Sequence, residues 1–210
     1  MSNIMLVGGG VGNAVLFSIG QLCLKKNNKV LYFAGFKRLN DVFKRNMIET
    51  VANVVVWTCE EGMIEINRMQ DQSFHGNIVE GIIAYQLGRC GIHHIQLQEI
   101  DTIITVGSVH MMKAINHARM TILKPYLKSN HIAISSINSP MQCMMKEICA
   151  QCLQRHFNVN TGQESFVYSC STQDQNMEYV DFDFLSERLM QNSLQEKLTV
   201  KWIEYHTSIS

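Results

Sequence analysis

The sequence predicts a doubly wound α/β fold: a parallel five-stranded sheet with helices on both faces. Three observations predict it. Short, continuous apolar runs recur through the first 137 residues, apolar-periodic helical stretches separate them, and a glycine cluster stands directly behind the first run. Strands that are apolar on both faces belong to parallel sheets covered by helices. Their alternation with helices builds βαβ units.

The elements follow in order. Ile4-Met5-Leu6-Val7 reads as a buried strand, and Gly12 to Lys26 as an amphipathic helix. Lys29 to Ala34 is a second strand, Asp41 to Val51 a helix, and Asn53 to Trp57 a third strand. Asn77 to Leu87 is helical, Asp101 to Val106 is the fourth strand, and Val109 to Lys128 is a helix that Pro125 bends or ends. His131 to Ser135 completes the sheet. From Asn138 the pattern changes to a Cys- and Met-rich stretch with little periodicity, followed by two short amphipathic helices, Val180 to Gln191 and Leu194 to Tyr205. The expected organisation is residues 1–137, 138–175 and 176–210: a sheet domain, a cysteine-rich loop segment and a helical extension.

The bulk numbers narrow the partners. Lys plus Arg equals Asp plus Glu at 18 each, so no overall field favours nucleic acid or an anionic membrane. The first apolar run stops at glycines, and no later run approaches the ~20 residues that span a bilayer. The expectation is a cytoplasmic protein whose 7 cysteines sit in a reducing compartment. Clustered cysteines there bind metal or do redox chemistry more often than they form disulfides.

Gly8-Gly9-Gly10-Val11-Gly12 lies between the first strand and the first helix. Glycines there let the backbone turn sharply and approach a pyrophosphate, while the next helix offers free N–H groups and the positive end of its dipole. Position 13 is Asn, so the common G-x-G-x-x-G fingerprint is not met. A tight structural turn is the competing reading.

Five stretches in order resemble the nucleotide-binding domain of ferredoxin-NADP reductase-like proteins. GGGVGNAVL resembles their glycine loop, without its nearby Pro. Gly35-Phe36-Lys37-Arg38 with Asp41-Val42-Phe43 resembles the stretch after the second strand, and Thr58-Cys59-Glu60-Glu61-Gly62 the turn after the third. Phe74 to Val79 resembles a G-x-K-G-x-V segment, Met63 to Ser73 being divergent. Gly107-Ser108 with Met111-Met112 resembles a C-G-P-x-P-M-M turn, with Val106 in place of the Cys and Ser108 in place of the Pro. Within that family the chain is most similar to the electron-transfer subunit of dihydroorotate dehydrogenase and to the small subunits of NADH-dependent ferredoxin:NADP oxidoreductase and sulfide dehydrogenase.

The resemblance implies an oxidoreductase component that binds NAD(P)H and presents its nicotinamide to a flavin. The flavin would sit on a barrel domain or subunit absent from these residues, so the isolated chain would bind nucleotide without completing hydride transfer. Nucleotide contacts would come from Gly8, Gly9, Gly10, Gly12, Gly35, Lys37, Arg38, Thr58, Gly107, Ser108 and Met111. Lys37 and Arg38 could meet a 2′-phosphate, the competing and favoured reading being a solvated loop pair, whereas Glu60 and Glu61 would repel such a phosphate; NADH is slightly preferred. A downstream redox subunit or domain would take or give the electrons. No residue reads as a general acid, base or nucleophile.

Cys143, Cys149, Cys152 and Cys170 form C-x5-C-x2-C-x17-C. Four thiolates suit an iron–sulfur cluster, and the plant-type spacing C-x4-C-x2-C…C differs by one residue. The resemblance implies a [2Fe–2S] centre at this place. Structural zinc is the alternative, although its sites use two paired C-x2–4-C knuckles and one exists here; small hydrophobic packing is the third reading. The rival function is therefore a zinc-stabilised, non-catalytic interaction module. Cys23, Cys59 and Cys90 read as core residues, the methionines as gap fillers, and His93-His94 as a turn or surface pair. The terminal helices either pack on their own domain or dock the flavin domain.

Overall fold

The computed structural model describes residues 2–137, 147, 150, 152–192 and 194–207. They divide into two compact units: Met1–Ser136 with Asn176–Glu178, and Ile137–Gln175 with Tyr179–Ser210.

The first unit contains β1 (Asn3–Gly9), α1 (Asn13–Lys25), β2 (Lys29–Phe36), α2 (Arg45–Thr50), β3 (Val54–Cys59), β4 (Gln72–His75), α3 (Ile78–Gln86), β5 (Thr102–Val106), α4 (Val109–Met120) and β6 (Ile132–Ser136). Its sheet runs in the order β4-β3-β2-β1-β5-β6, with every neighbouring pair parallel. The short strand Asp174–Asn176 lies beyond β6. The fold is thus doubly wound α/β as expected, but the sheet has seven strands rather than five. β4 escaped the sequence reading because Gln72-Ser73-Phe74-His75 is polar and only four residues long. It is an edge strand, and an edge does not need a continuous apolar run.

One face of the sheet buries Leu6, Tyr32, Ala34, Phe36, Val55 and Trp57 against Leu16 of α1 and Ile48 of α2. Fully burying a side chain of this size contributes about 1.5–3 kcal/mol. The opposite face carries α3, where Phe33 meets Tyr85 edge-on at 5.6 Å. α2 is shorter than the helix expected over Asp41 to Val51. Val42 and Phe43 leave helical geometry to pack on the core, Phe43 lying 6.1 Å from Phe36 and 6.3 Å from Phe17. Lys44 then turns the chain at φ 50° before the helix begins. Burial of two apolar side chains outweighs local helix propensity here.

The divergent stretch after β3 is pinned by a buried ion pair. Asp71 accepts from Arg68 at 2.7 and 2.8 Å and from the Val55 N–H at 2.9 Å. Arg68 also donates to the Glu49 and Ala52 carbonyls. Both oxygens of the buried carboxylate thereby gain a donor, which burial of a charge requires.

The second unit holds β7 (Leu153–Asn158), β8 (Gln163–Tyr168), α5 (Phe182–Asn192) and α6 (Leu194–Thr207). The segment expected to be an irregular cysteine-rich loop contains an antiparallel hairpin, paired from Leu153↔Tyr168 to Asn158↔Gln163. Asn158 closes its turn by accepting from the Asn160 and Thr161 N–H groups, and Gly162 supplies a φ of 68°. Its strands were missed because the buried positions of β7 are Gln154 and His156, not apolar residues. α5 is capped by Asp181, which accepts from the Phe184 N–H at 2.9 Å and is paired with Arg155 at 2.6 Å. No helix among the described residues is long and apolar enough to cross a membrane.

Candidate functional site

In a doubly wound sheet the connections leave the carboxyl ends of two neighbouring strands in opposite directions, and a crevice opens between them. Here those neighbours are β1 and β5. β1 connects through α1 to β2 on one side, while β5 begins the half of the sheet on the other side. The sequence places Gly8 to Gly12 at the end of β1 and Gly107 to Met111 at the end of β5, so topology brings the two predicted clusters to this crevice.

The glycines there serve different physical ends. Gly12 is buried, and a Cβ on it would lie 2.4 Å from the Val106 carbonyl oxygen and 3.1 Å from the Gly107 nitrogen. Only glycine lets the turn sit this close to the end of β5. A Cβ on Gly8 would lie 2.1 Å from Asn13 Oδ1. Gly10 adopts φ 54° with open space around its Cβ direction, which suits left-handed geometry and leaves the turn's outer side uncovered. Gly9 and Gly107 are the floor under Met111: a Cβ on either would lie 2.4 Å from its thioether, at Sδ and Cε respectively.

Asn13 holds the turn from inside. Fully buried, it donates from Nδ2 to the Gly10 carbonyl at 2.9 Å and accepts at Oδ1 from the Tyr32 hydroxyl at 3.1 Å. The same hydroxyl reaches the Asn13 carbonyl at 3.2 Å. Burial pushes the Tyr32 phenol well above its ordinary pKa, so it remains a donor throughout the physiological range. Replacing Tyr32 with Phe leaves buried acceptors unpaired, a loss of about 1–3 kcal/mol. Urea denaturation of Tyr32→Phe is expected to show that loss; an unchanged midpoint would contradict this role.

The N-termini of the helices differ. α3 is closed by the Asn77–Glu80 capping box, and α4 by Ser108, whose Oγ accepts from the Met111 N–H at 3.2 Å. α1 has no side-chain cap and no acidic residue in its first turn. Gly35 and Thr58 are register neighbours on β2 and β3, but both are committed to helix packing. A Cβ on Gly35 would strike Ile78, and the Thr58 methyl fills the space below Gly81. The buried Thr58 hydroxyl has no hydrogen-bond partner among the described residues. Lys37 and Arg38 are exposed in the loop after β2. The Glu61 carboxylate reaches that loop, accepting from the Leu39 N–H at 2.8 Å.

In the second unit, Cys152 and Cys170 are 5% and 7% exposed. The x17 interval between them is the hairpin itself. Its ladder continues one step past Leu153↔Tyr168, with the Ser169 N–H donating to the Cys152 carbonyl at 3.2 Å, so both cysteines end at the hairpin's open end. Cys143 and Cys149 lie outside the described residues. Among the described residues no three His, Cys, Asp or Glu side chains gather to hold a metal ion. Two thiols are the donor chemistry that a sulfur-ligated centre uses, and Gln154, two residues along the chain from Cys152, is a buried amide with no partner among the described residues. Cys59 is in the core, and burial raises the thiol pKa values of Cys23 and Cys90. His93 packs at a tilt on Tyr85, ring centroids 5.0 Å apart, and bonds its carbonyl, a structural role.

The chain matches, with a TM-score of 0.71 and 20% identity, the solved structure of an NADH-dependent reduced ferredoxin-NADP oxidoreductase described for flavin-based electron bifurcation; the match covers 97% of this chain and 62% of that one. The fold is ferredoxin-reductase-like. At this identity the likeness speaks for architecture alone, and the chain spans less than two thirds of that neighbour. A stretch of 66 residues, 31% of this chain and 9% of the relative, is 50% identical to a protein of Rickettsia prowazekii (strain Madrid E) described as uncharacterized. No protein-family model matches. Within the ferredoxin-reductase-like fold, Asn13 and Tyr32 are the site residues that sequence reasoning missed. Asn13 had counted only as a departure from a glycine pattern, and no sequence signal links it to Tyr32, 19 residues away.

Proposed function

We propose that this chain is the NAD(P)H-binding, electron-transfer portion of a flavin-dependent oxidoreductase. It passes electrons between NAD(P)H, a flavin held outside these 210 residues, and a [2Fe–2S] centre that serves a redox partner. The observation that carries the reading is the glycine turn at the switch point between β1 and β5, held by Asn13 and Tyr32. Its outer side is uncovered at Gly10, and the N-terminus of α1 behind it has no side-chain cap. Backbone N–H groups there suit a pyrophosphate. The ferredoxin-reductase-like fold supports the same reading.

The residues divide the work. Gly10 leaves the turn open to the pyrophosphate, Gly9 and Gly12 let that turn pack against Met111 and Val106, and Ser108 and Met111 border the far side of the crevice. The adenosine half lies toward Gly35, Lys37 and Arg38. Cys152 and Cys170, with Cys143 and Cys149, hold the centre. Bound there, a [2Fe–2S] group supplies one-electron chemistry; the polypeptide contributes position and electrostatics.

Glu61 sets the nucleotide preference. Its carboxylate reaches from the turn after β3 to the Leu39 N–H next to Arg38, where a 2′-phosphate would meet a negative charge, so NADH is favoured over NADPH. Exposed charge pairs are worth up to about 1 kcal/mol, roughly fivefold in affinity. Glu61→Gln is therefore expected to tighten NADPH binding a few-fold relative to NADH in parallel fluorescence titrations. An unchanged ratio would remove Glu61 from the specificity argument.

The reading is tested on protein purified without oxygen. Visible colour bleached by dithionite, iron with acid-labile sulfide, and saturable NADH binding are expected together. Colourless protein that carries zinc and ignores NADH would overturn it.

A further inference from the structure

Gln154 is fully buried, and neither its amide nitrogen nor its amide oxygen has a hydrogen-bond partner among the described residues. A buried amide in that state costs about 1–3 kcal/mol, and buried orphans of this kind point to a missing ion, water or redox group. Its position says which. Side chains alternate across a strand, and the burial of β7 alternates with them: Cys152, Gln154 and His156 are buried, while Leu153 and Arg155 between them are half-exposed. Cys152 and Gln154 thus share one face, with Cα positions roughly 7 Å apart, a span that a glutamine side chain covers. His156 also carries a buried ring nitrogen without a partner, but it stands roughly 13 Å from Cys152 along the strand. Arg155, Asp181 and Phe184 occupy the other face.

We infer that the Gln154 amide N–H donates a hydrogen bond to the sulfur shell of the centre held through Cys152 and Cys170, and thereby sets its reduction potential. Gln154 is a positioning and tuning residue, and its inference rests on the iron–sulfur reading above. A bound [2Fe–2S] group would supply one-electron chemistry, and the Gln154 N–H donor would stabilise its more negative, reduced form more than the oxidised one. No proton moves. The donor therefore raises the potential, and its removal lowers it.

The test uses the full chain, purified or iron-reconstituted without oxygen, as wild type, Gln154→Leu and Gln154→Asn. Leucine keeps the volume and removes the donor; asparagine keeps an amide on a shorter arm. Dithionite supplies the electron, and redox titration followed by electron paramagnetic resonance reads the midpoint. Gln154→Leu is expected to hold iron as wild type does, with its equilibrium constant for reduction about tenfold lower, about 59 mV for a one-electron couple. Gln154→Asn is expected to fall between the two. A leucine variant with wild-type iron and an unchanged midpoint would overturn the inference while leaving the iron–sulfur reading intact. Wild-type protein without iron would sink the reading itself. If Gln154→Leu fails to load iron, the midpoint of Gln154→Asn decides alone: lowered supports the inference, unchanged overturns it.

Discussion

Replacing Gly12 with alanine is expected to abolish measurable NADH binding and to destabilise the fold. The new Cβ would sit 2.4 Å from a backbone oxygen and 2.8 Å from a backbone carbon of Val106. Neither belongs to a side chain that can swing aside, so the turn or the end of β5 must move. Overpacking of this kind costs about 1–3 kcal/mol, occasionally more. The displaced turn lies where the pyrophosphate is proposed to bind, so affinity is expected to fall by at least ~10-fold, equivalent to 1.4 kcal/mol. Gly10→Ala is the matched comparison. It makes the same chemical change at φ 54° with nothing within 4 Å of the new atom, so its cost is that of left-handed geometry alone, about 1–2 kcal/mol. Chemical denaturation and NADH titration of both variants check the difference. A Gly12→Ala protein no worse than Gly10→Ala would contradict the packing argument.

The second large effect concerns the hairpin cysteines. Cys152→Ser or Cys170→Ser is expected to reduce iron per chain to near background and to remove the visible absorbance. An iron–sulfur cluster bound by four cysteines draws on each thiolate, and the backbone bond from the Ser169 N–H to the Cys152 carbonyl ties Cys152 to the open end of the hairpin. Cys59→Ser is the control. That residue is buried in the core of the sheet unit and donates to the Lys37 carbonyl at 3.6 Å, so its loss affects stability and not iron. Colorimetric iron and sulfide analysis of anoxic preparations separates the two. Full iron in Cys152→Ser would remove it from the ligand set.

Sequence legibility followed the physics of burial. β1, β2, β3, β5 and β6 are apolar runs because helices cover both faces of a parallel sheet, and that signature survives in one dimension. β4 and the β7–β8 hairpin did not carry it: one is a polar edge of four residues, the other buries Gln154 and His156 where apolar side chains were sought. Val42 and Phe43 explain the shortened α2, since their burial against Phe36 and Phe17 depends on tertiary neighbours that local propensity does not contain. At the site, the glycine turn was legible because glycine itself is the signal. Its support was not, because the Asn13–Tyr32 hydrogen bond is created by the packing of α1 on β2. Gly35, read as a nucleotide contact, carries a second role that the sequence does not announce, since its missing Cβ makes room for Ile78 of α3.

Amide chemical-shift mapping of the full chain against NADH bears most directly on the central claim, that nucleotide binds at the switch point between β1 and β5. The largest changes are expected at Gly9, Gly10, Val11, Gly12 and Asn13, with Gly107 and Ser108 across the crevice, and they should saturate together. If NADH at saturating concentration leaves those amides where they were, the claim is contradicted.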